Sequence, residues 1–246
     1  RWKGRHAFNN IPIHGESGSA DQVSALRWID EALPAILEKF KPEDIFNMDE
    51  FALFFQQAMR NTIKEKGQEI KGTKISKKRI TGFNGASIIG EKLPLAIIGL
   101  SEHPRSFTGH KVQPFQYYSQ KNAWMITPIF NEYLRRENEK LKRTGRKICI
   151  TVDNCSSHKI YPSFFSNITI RYLTPNTTSV LQPMDQGIIH AIKKRYKTSI
   201  TEQYFANAVA GKEQKITVYD ACVKLQNAWN EITSVTIQNC FKKAWI

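Results

Sequence analysis

The chain has 246 residues, 36 of them basic and 22 acidic, for a formal charge of +14. That length buries a core without disulfides or a structural metal, and the charge favours polyanionic partners, nucleic acid before a membrane surface, over acidic small molecules. The longest apolar run, LPLAIIGL at 93–100, is far short of the roughly 20 residues that span a bilayer, and the start is neither a signal peptide nor a presequence; a soluble intracellular protein with no membrane partner is expected.

Residues 1–20 change from basic (RWKGRH) to Gly/Ser-rich (GESGSA), which reads as the tail of an upstream element plus a linker in a longer protein. From Asp21, a helix N-cap, apolar residues recur at helical spacing: Val23, Leu26, Ile29, Leu33, Ile36 and Leu37. Three strand-like segments follow at 45–55, 77–89 and 92–100, and their short connections predict an antiparallel meander. Residues 122–143 form an amphipathic helix. KICITVD at 147–153 is a strand whose unbroken apolar run belongs in a sheet covered on both faces, and 168–175 makes a fifth strand. After Pro183 the chain is helical to its end. The order predicts an α/β fold: a mixed five-stranded sheet, three antiparallel strands then two more, flanked by helices with further C-terminal helices. Cys149, Cys155, Cys222 and Cys240 form no CxxC pair and read as reduced thiols.

Three carboxylates stand at structural edges: Asp49 on the first strand, Asp153 at the end of the fourth, and Asp185 at a helix start. Any one alone reads as a turn former or cap. Ile188, Ile189, Ile192 and Tyr196 follow Asp185 at helical spacing, which predicts that it shares their inward face. Carboxylates brought together repel and raise one another's pKa unless a cation compensates them. Hard oxygen donors without clustered His or Cys favour Mg²⁺ or Mn²⁺, in a two-metal site suited to phosphodiester chemistry.

These residues resemble the pogo/Tigger branch of the mariner-type transposases, a group that includes jerky and centromere protein B-like relatives. GESGSAD is similar to the linker ahead of the family's catalytic domain, FNMDE to its first acidic motif and TVDNCSSH to its second. KKRITGFNGASIIGEKLPLAIIG is similar to its second and third strands, LTPNTTSVLQPMDQGIIHAIKKRYK to its third motif and AWNEITSVTIQNCFKKAWI to its C-terminal helices. The resemblance implies a ribonuclease H-like fold over 21–246, preceded at 1–20 by the end of a helix-turn-helix DNA-binding region and linker. It implies that Asp49, Asp153 and Asp185 are catalytic metal ligands, with Asp49 and Asp153 sharing one ion and Asp185 holding the second. Water then attacks a phosphodiester at the transposon end, and the freed 3′-hydroxyl attacks target DNA. The implied partners are transposon-end and target DNA in the nucleus, with homo-oligomerisation left open. A domesticated DNA-binding or chromatin protein without catalysis is the competing expectation, and a ribonuclease H-type nuclease acting on RNA is a third.

Glu50 neighbours Asp49 on the opposite face of an alternating strand and reads as a salt-bridge partner rather than a ligand. His158 reads as a contact to the scissile phosphate, as a partner that holds a ligand of the metal site from behind, or as a loop histidine with a structural hydrogen bond. Asn154, Gln182 and Gln186 flank the acidic positions and read either as groups that orient water or a backbone phosphate or simply as turn and helix-start residues. Basic residues cluster in 60–79, in 135–147 and in KKRYK at 193–197. Lys193, Lys194, Arg195 and Lys197 of the last cluster continue the helix that begins at Asp185, which makes them the DNA contacts expected beside the metals. Neither a GxSxG elbow nor a GxxxxGK phosphate loop occurs.

Overall fold

The computed structural model describes residues 21–57, 77–110, 112–161, 165–212 and 215–245. The linker expected at 1–20 and the basic run from 60 to 76 lie outside these residues. Helix α1 is α-helical over Gln22–Arg27, π-helical over Trp28–Ala32 and α-helical again over Leu33–Leu37. Asp21 caps it as expected, its Oδ1 accepting the Ser24 N–H at 2.9 Å. Its buried face differs from the expected one: Ala25, Trp28, Leu33 and Ile36 are buried, whereas Val23, Leu26 and Leu37 are exposed. The π turn inserts a residue and rotates the stripe away from the 3.6-residue repeat.

The sheet is built from β1 (Ile45–Leu53), β2 (Ile80–Ser87), β3 (Ala96–Gly99), β4 (Gln116–Ser119), β5 (Ile148–Val152) and β6 (Ile168–Tyr172). Its order is β4-β3-β2-β1-β5-β6. The β1/β2 and β2/β3 pairs are antiparallel; β1/β5, β5/β6 and β3/β4 are parallel. This is the ribonuclease H-like mixed sheet with one strand more than the five expected. The extra strand, β4, has only four residues, all half-buried, and shows neither an apolar run nor alternation.

Helix α2 (Thr127–Thr144) covers one face of the sheet. There Phe46, Met48, Phe83, Ile148, Ile150 and Val152 pack with Ile129, Phe130, Tyr133 and Leu134. The other face carries α1, the short α3 (Thr178–Leu181), α4 (Ile189–Val209), α5 (Val218–Asn230) and α6 (Ser234–Trp245), centred on Trp28, Tyr196, Trp229 and Trp245. Burial of both faces explains why all five residues of β5 are apolar or Thr and buried. Three of the buried aromatic polar atoms are matched by carbonyls: the Trp229 indole donates to Leu93 O at 3.1 Å, the Trp245 indole to Leu181 O at 2.8 Å, and the Tyr196 hydroxyl to Phe55 O at 2.8 Å. No described helix is long and apolar enough to cross a membrane.

A π-helical turn, Met184–Ile188, leads into α4 and is broken by Gly187 at φ 151°, ψ −17°. A side chain is strained at that φ, and a Cβ there would meet Cys240 Sγ at 3.1 Å. Gly187→Ala is expected to cost about 1–3 kcal/mol, lowering the melting temperature by about 2–12 °C. An unchanged melting temperature by calorimetry would show that the kink relaxes freely.

Candidate active site

In the β1/β5 ladder Ile45 pairs with Cys149, Phe46 with Ile150 and Asn47 with Thr151, an offset of 149 − 45 = 104 residues. Asp49 and Asp153 differ by the same 104 and so occupy equivalent places on the two neighbouring strands. Asp49 lies within β1 and is 8% exposed; Asp153 is the residue after β5 and is partly exposed. Asp185 sits in the Met184–Ile188 turn. Contrary to the helical-face expectation, Asp185 is exposed while Ile188, Ile189, Ile192 and Tyr196 are buried. The Gly187 kink breaks the periodicity between them.

One side chain ties the three elements together, and the sequence reading did not single it out. Asn47, fully buried, donates through Nδ2 to Thr151 O at 3.1 Å and Thr151 Oγ1 at 3.2 Å, and its Oδ1 accepts the Met184 N–H at 3.0 Å. Asn47 is two residues before Asp49, Thr151 two before Asp153 and Met184 one before Asp185. The signal was a polar side chain inside a strand otherwise fit for a dry interior.

The electrostatics follow from this convergence. Burial pushes the Asp49 carboxyl well above the usual carboxylate range, and the charges of Asp185, Glu50 and Asp153 push it further, against an opposing contribution from Gln182. Two buried amides flank it. Asn84 stands opposite Asp49 in the β1/β2 register, and both Asn84 and Gln182 are fully buried with side-chain amides that reach no hydrogen-bond geometry among the described residues. Gln182 therefore influences Asp49 by proximity rather than by a formed hydrogen bond. Orphaned amides beside a buried carboxylate mark a place built to receive something else.

His158 is fully buried. Its Nδ1 lies 2.5 Å from Asp153 Oδ1 and its Nε2 2.9 Å from Glu50 Oε2, with the ring centroid 4.7 Å from that of Phe130. Burial alone would lower its pKa, but its hydrogen bonds to Asp153, Cys155 and Glu50 outweigh this and push it up to about 12. The imidazolium donates to both carboxylates, and no ring nitrogen is left for the phosphate contact expected as one of its readings. Glu50 takes the ion-pair role expected of it. Cys155 brings a thiol near the same pair, since ligand atoms of Glu50, Cys155 and His158 lie within 4.8 Å of one another. With both ring nitrogens already given to carboxylates, the group is an ion-paired network.

The four basic residues of α4 do not act as one patch. Lys193 is half-buried, its Nζ 5.4 Å over the Phe51 ring. Burial lowers its pKa, while Asp185 and Asp49 raise it, so it stands as a partial counter-charge to the carboxylates. Arg195 turns toward α5, its Nε 3.4 Å from Glu231 Oε2, and Lys194 and Lys197 face solvent. Gln186 donates to Ser179 O at 2.6 Å and holds the turn, and Asn154 is exposed.

The profile of the DDE superfamily endonucleases matches residues 77–241. The chain belongs to the DDE superfamily endonuclease family. In this DDE endonuclease chain, Asp153 and Asp185 fall within the matched span and Asp49 precedes it. The chain is 30% identical over 247 residues to mouse Tigger transposable element-derived protein 4, covering 99% of this chain and 48% of that protein. It is 27% identical to CENP-B homolog protein 2 of Schizosaccharomyces pombe (99% and 49%) and 26% identical to the mouse Jerky protein (100% and 45%). These relatives bear out the pogo/Tigger resemblance, and the chain spans about half of their length. Among solved structures, the Mos1 transposase paired-end complex with left transposon end aligns at a TM-score of 0.49 and 14% identity, over 96% of this chain and 67% of that one.

Proposed function

We propose that residues 21–246 are the catalytic domain of a pogo/Tigger-type transposase, hydrolysing phosphodiesters at transposon ends and joining the freed strand to target DNA in the nucleus. Residues 1–20 would close an upstream DNA-binding region and linker. The observation that carries this reading is the buried Asp49, whose ionisation is opposed by its own burial and by the nearby charges of Asp185, Glu50 and Asp153. A divalent cation fits that excess of negative charge and the unmatched amides of Asn84 and Gln182. Asp49, Asp153 and Asp185 would hold it, and two such ions would supply Lewis-acid activation of the attacking water and of the leaving oxygen. The chain's own residues set the stage. His158 favours the ionised form of Asp153 and fixes one of its oxygens, Lys193 offsets part of the charge of Asp49 and Asp185, and the formal +14 favours association with the DNA backbone.

A non-catalytic, transposase-derived DNA-binding protein is the second reading, favoured by relatives described as transposable element-derived and as a CENP-B homolog. Mn²⁺ titration of the melting temperature, paired with nicking of plasmid DNA by the full-length protein, separates the two. At about 100 times the dissociation constant, Mn²⁺ should add about 2.7 kcal/mol, or about 5–10 °C. Asp185→Asn should remove most of that gain and the nicking. Absence of both effects in the wild type supports the non-catalytic reading.

A further inference from the structure

Trp28, Trp229 and Trp245 are buried, yet Trp124, just before α2, is 57% exposed. The turn that displays it is held from several sides. Ala123, fully buried, adopts φ 52°, a conformation uncommon outside glycine. Gln120 Oε1 accepts the N–H groups of Asn122 at 2.6 Å and Trp124 at 3.2 Å. The Ala123 carbonyl accepts the Thr81 hydroxyl at 2.5 Å and the Arg79 guanidinium at 3.5 Å. The Arg79 Cζ lies 5.6 Å from the centroid of the indole. An uncommon backbone conformation, anchored on both sides, thus holds a large apolar ring out in water.

The surroundings select the partner. Lys77, Lys78 and Lys121 are exposed beside Arg79 and Trp124 in sequence, and KKRIT (77–81) and QKNAWM (120–125) contain no acidic residue. The turn also lies at the carboxylate end of the sheet. Thr81, which holds Ala123, pairs with Ala52, three residues beyond Asp49 on β1, and Thr127 at the start of α2 donates to Ser156 O at 3.1 Å, three residues beyond Asp153. Duplex DNA hides its base faces in the stack, so an indole face flanked by cations can engage a base only where that base is unpaired.

We propose that Trp124 and Arg79 form a stacking platform for an unpaired base of the DNA strand that passes the carboxylates; this rests on the reading of the chain as a DNA-processing domain. The ring takes the base face, and Arg79 with Lys121 takes the neighbouring phosphates.

The test is fluorescence anisotropy of the chain with a labelled short oligothymidylate and with a duplex of the same length, in EDTA so that the carboxylate site plays no part. Trp124→Ala should weaken single-strand binding about 5- to 150-fold and leave duplex affinity within about twofold, since phosphate contacts carry it. Trp124→Phe should recover most of the loss, and Trp124→Leu, which keeps apolar bulk without a π-face, should not. Wild-type affinity in Trp124→Leu, or equal losses on single strand and duplex, would overturn the platform. So would a change of oligomeric state in Trp124→Ala with single-strand affinity intact, which assigns the face to a second copy. Because all variants keep the carboxylates, a wild type without Mn²⁺ stabilisation would count against the catalytic reading and leave the platform standing.

Discussion

Asp49→Asn should raise the melting temperature of the metal-free protein and Asp153→Asn should lower it, although each is expected to abolish metal-dependent DNA cleavage by the full-length protein. The carboxyl of Asp49 is held above its ordinary 3.8 by burial and by like charges. An acid raised in the folded state costs stability once pH climbs above the unfolded value, because the unfolded chain ionises first. Asparagine removes that penalty, a gain of about 1–3 kcal/mol at neutral pH, and flattens the loss of stability that wild type shows as pH rises above the carboxylate range. Asp153 has the opposite sign. Burial opposes its ionisation, but the hydrogen bond and charge of His158 and contacts with Cys155 prevail and lower its pKa from 3.8. Its contribution is present above the unfolded pKa and fades as pH falls through the folded one. Asparagine leaves a buried imidazolium with Glu50 as its one carboxylate partner, at a cost of about 1–2 kcal/mol after screening of the partly exposed carboxylate. Calorimetry of both variants in EDTA across pH 4–8 decides the matter. A destabilised Asp49→Asn would mean that its carboxyl is already compensated within the chain.

Asn47→Leu should damage both the fold and the metal response. It strips the Met184 N–H of its acceptor and Thr151 of its donor in a fully buried place, a loss of about 2–4 kcal/mol. If the residue only packed, nothing else would change. As the tie among the elements bearing Asp49, Asp153 and Asp185, it should also raise the Mn²⁺ concentration needed for half-maximal thermal stabilisation by about 10- to 100-fold. Ile97→Ala, which opens a cavity on β3 away from these residues, provides a destabilised control that should keep the wild-type Mn²⁺ response. A normal Mn²⁺ response in Asn47→Leu would reduce Asn47 to a packing residue.

What the residues disclosed and what they withheld divide along physical lines. The unbroken apolar run of β5 announced a strand buried on both faces, and the 104-residue spacing of Asp49 and Asp153 turned out to equal the β1/β5 register. Local backbone departures were invisible to periodicity. The π turn at Trp28–Ala32 rotates the face of α1, and Gly187 disconnects Asp185 from the buried stripe of α4. Strand β4 is too short and too polar to announce itself, because its partner β3 selects it rather than its own composition. The destinations of His158 and Asn47 depended on tertiary neighbours, Phe130 and Glu50 for one and Thr151 and Met184 for the other, which no local pattern encodes.

The Asn47 tie also sets when the cluster can exist. Its two closures span 104 and 137 residues of chain, so the cluster belongs to the late, long-range part of folding. At a synthesis rate of about 5–20 residues per second, Asn47 waits roughly 7–27 s on the ribosome for Met184 to be made. During that interval the nascent chain carries Asp49 without the turn that brings Asp185. A chain truncated before Met184 therefore lacks the assembled cluster, and whatever the three carboxylates do together waits on the last of the elements that carry them.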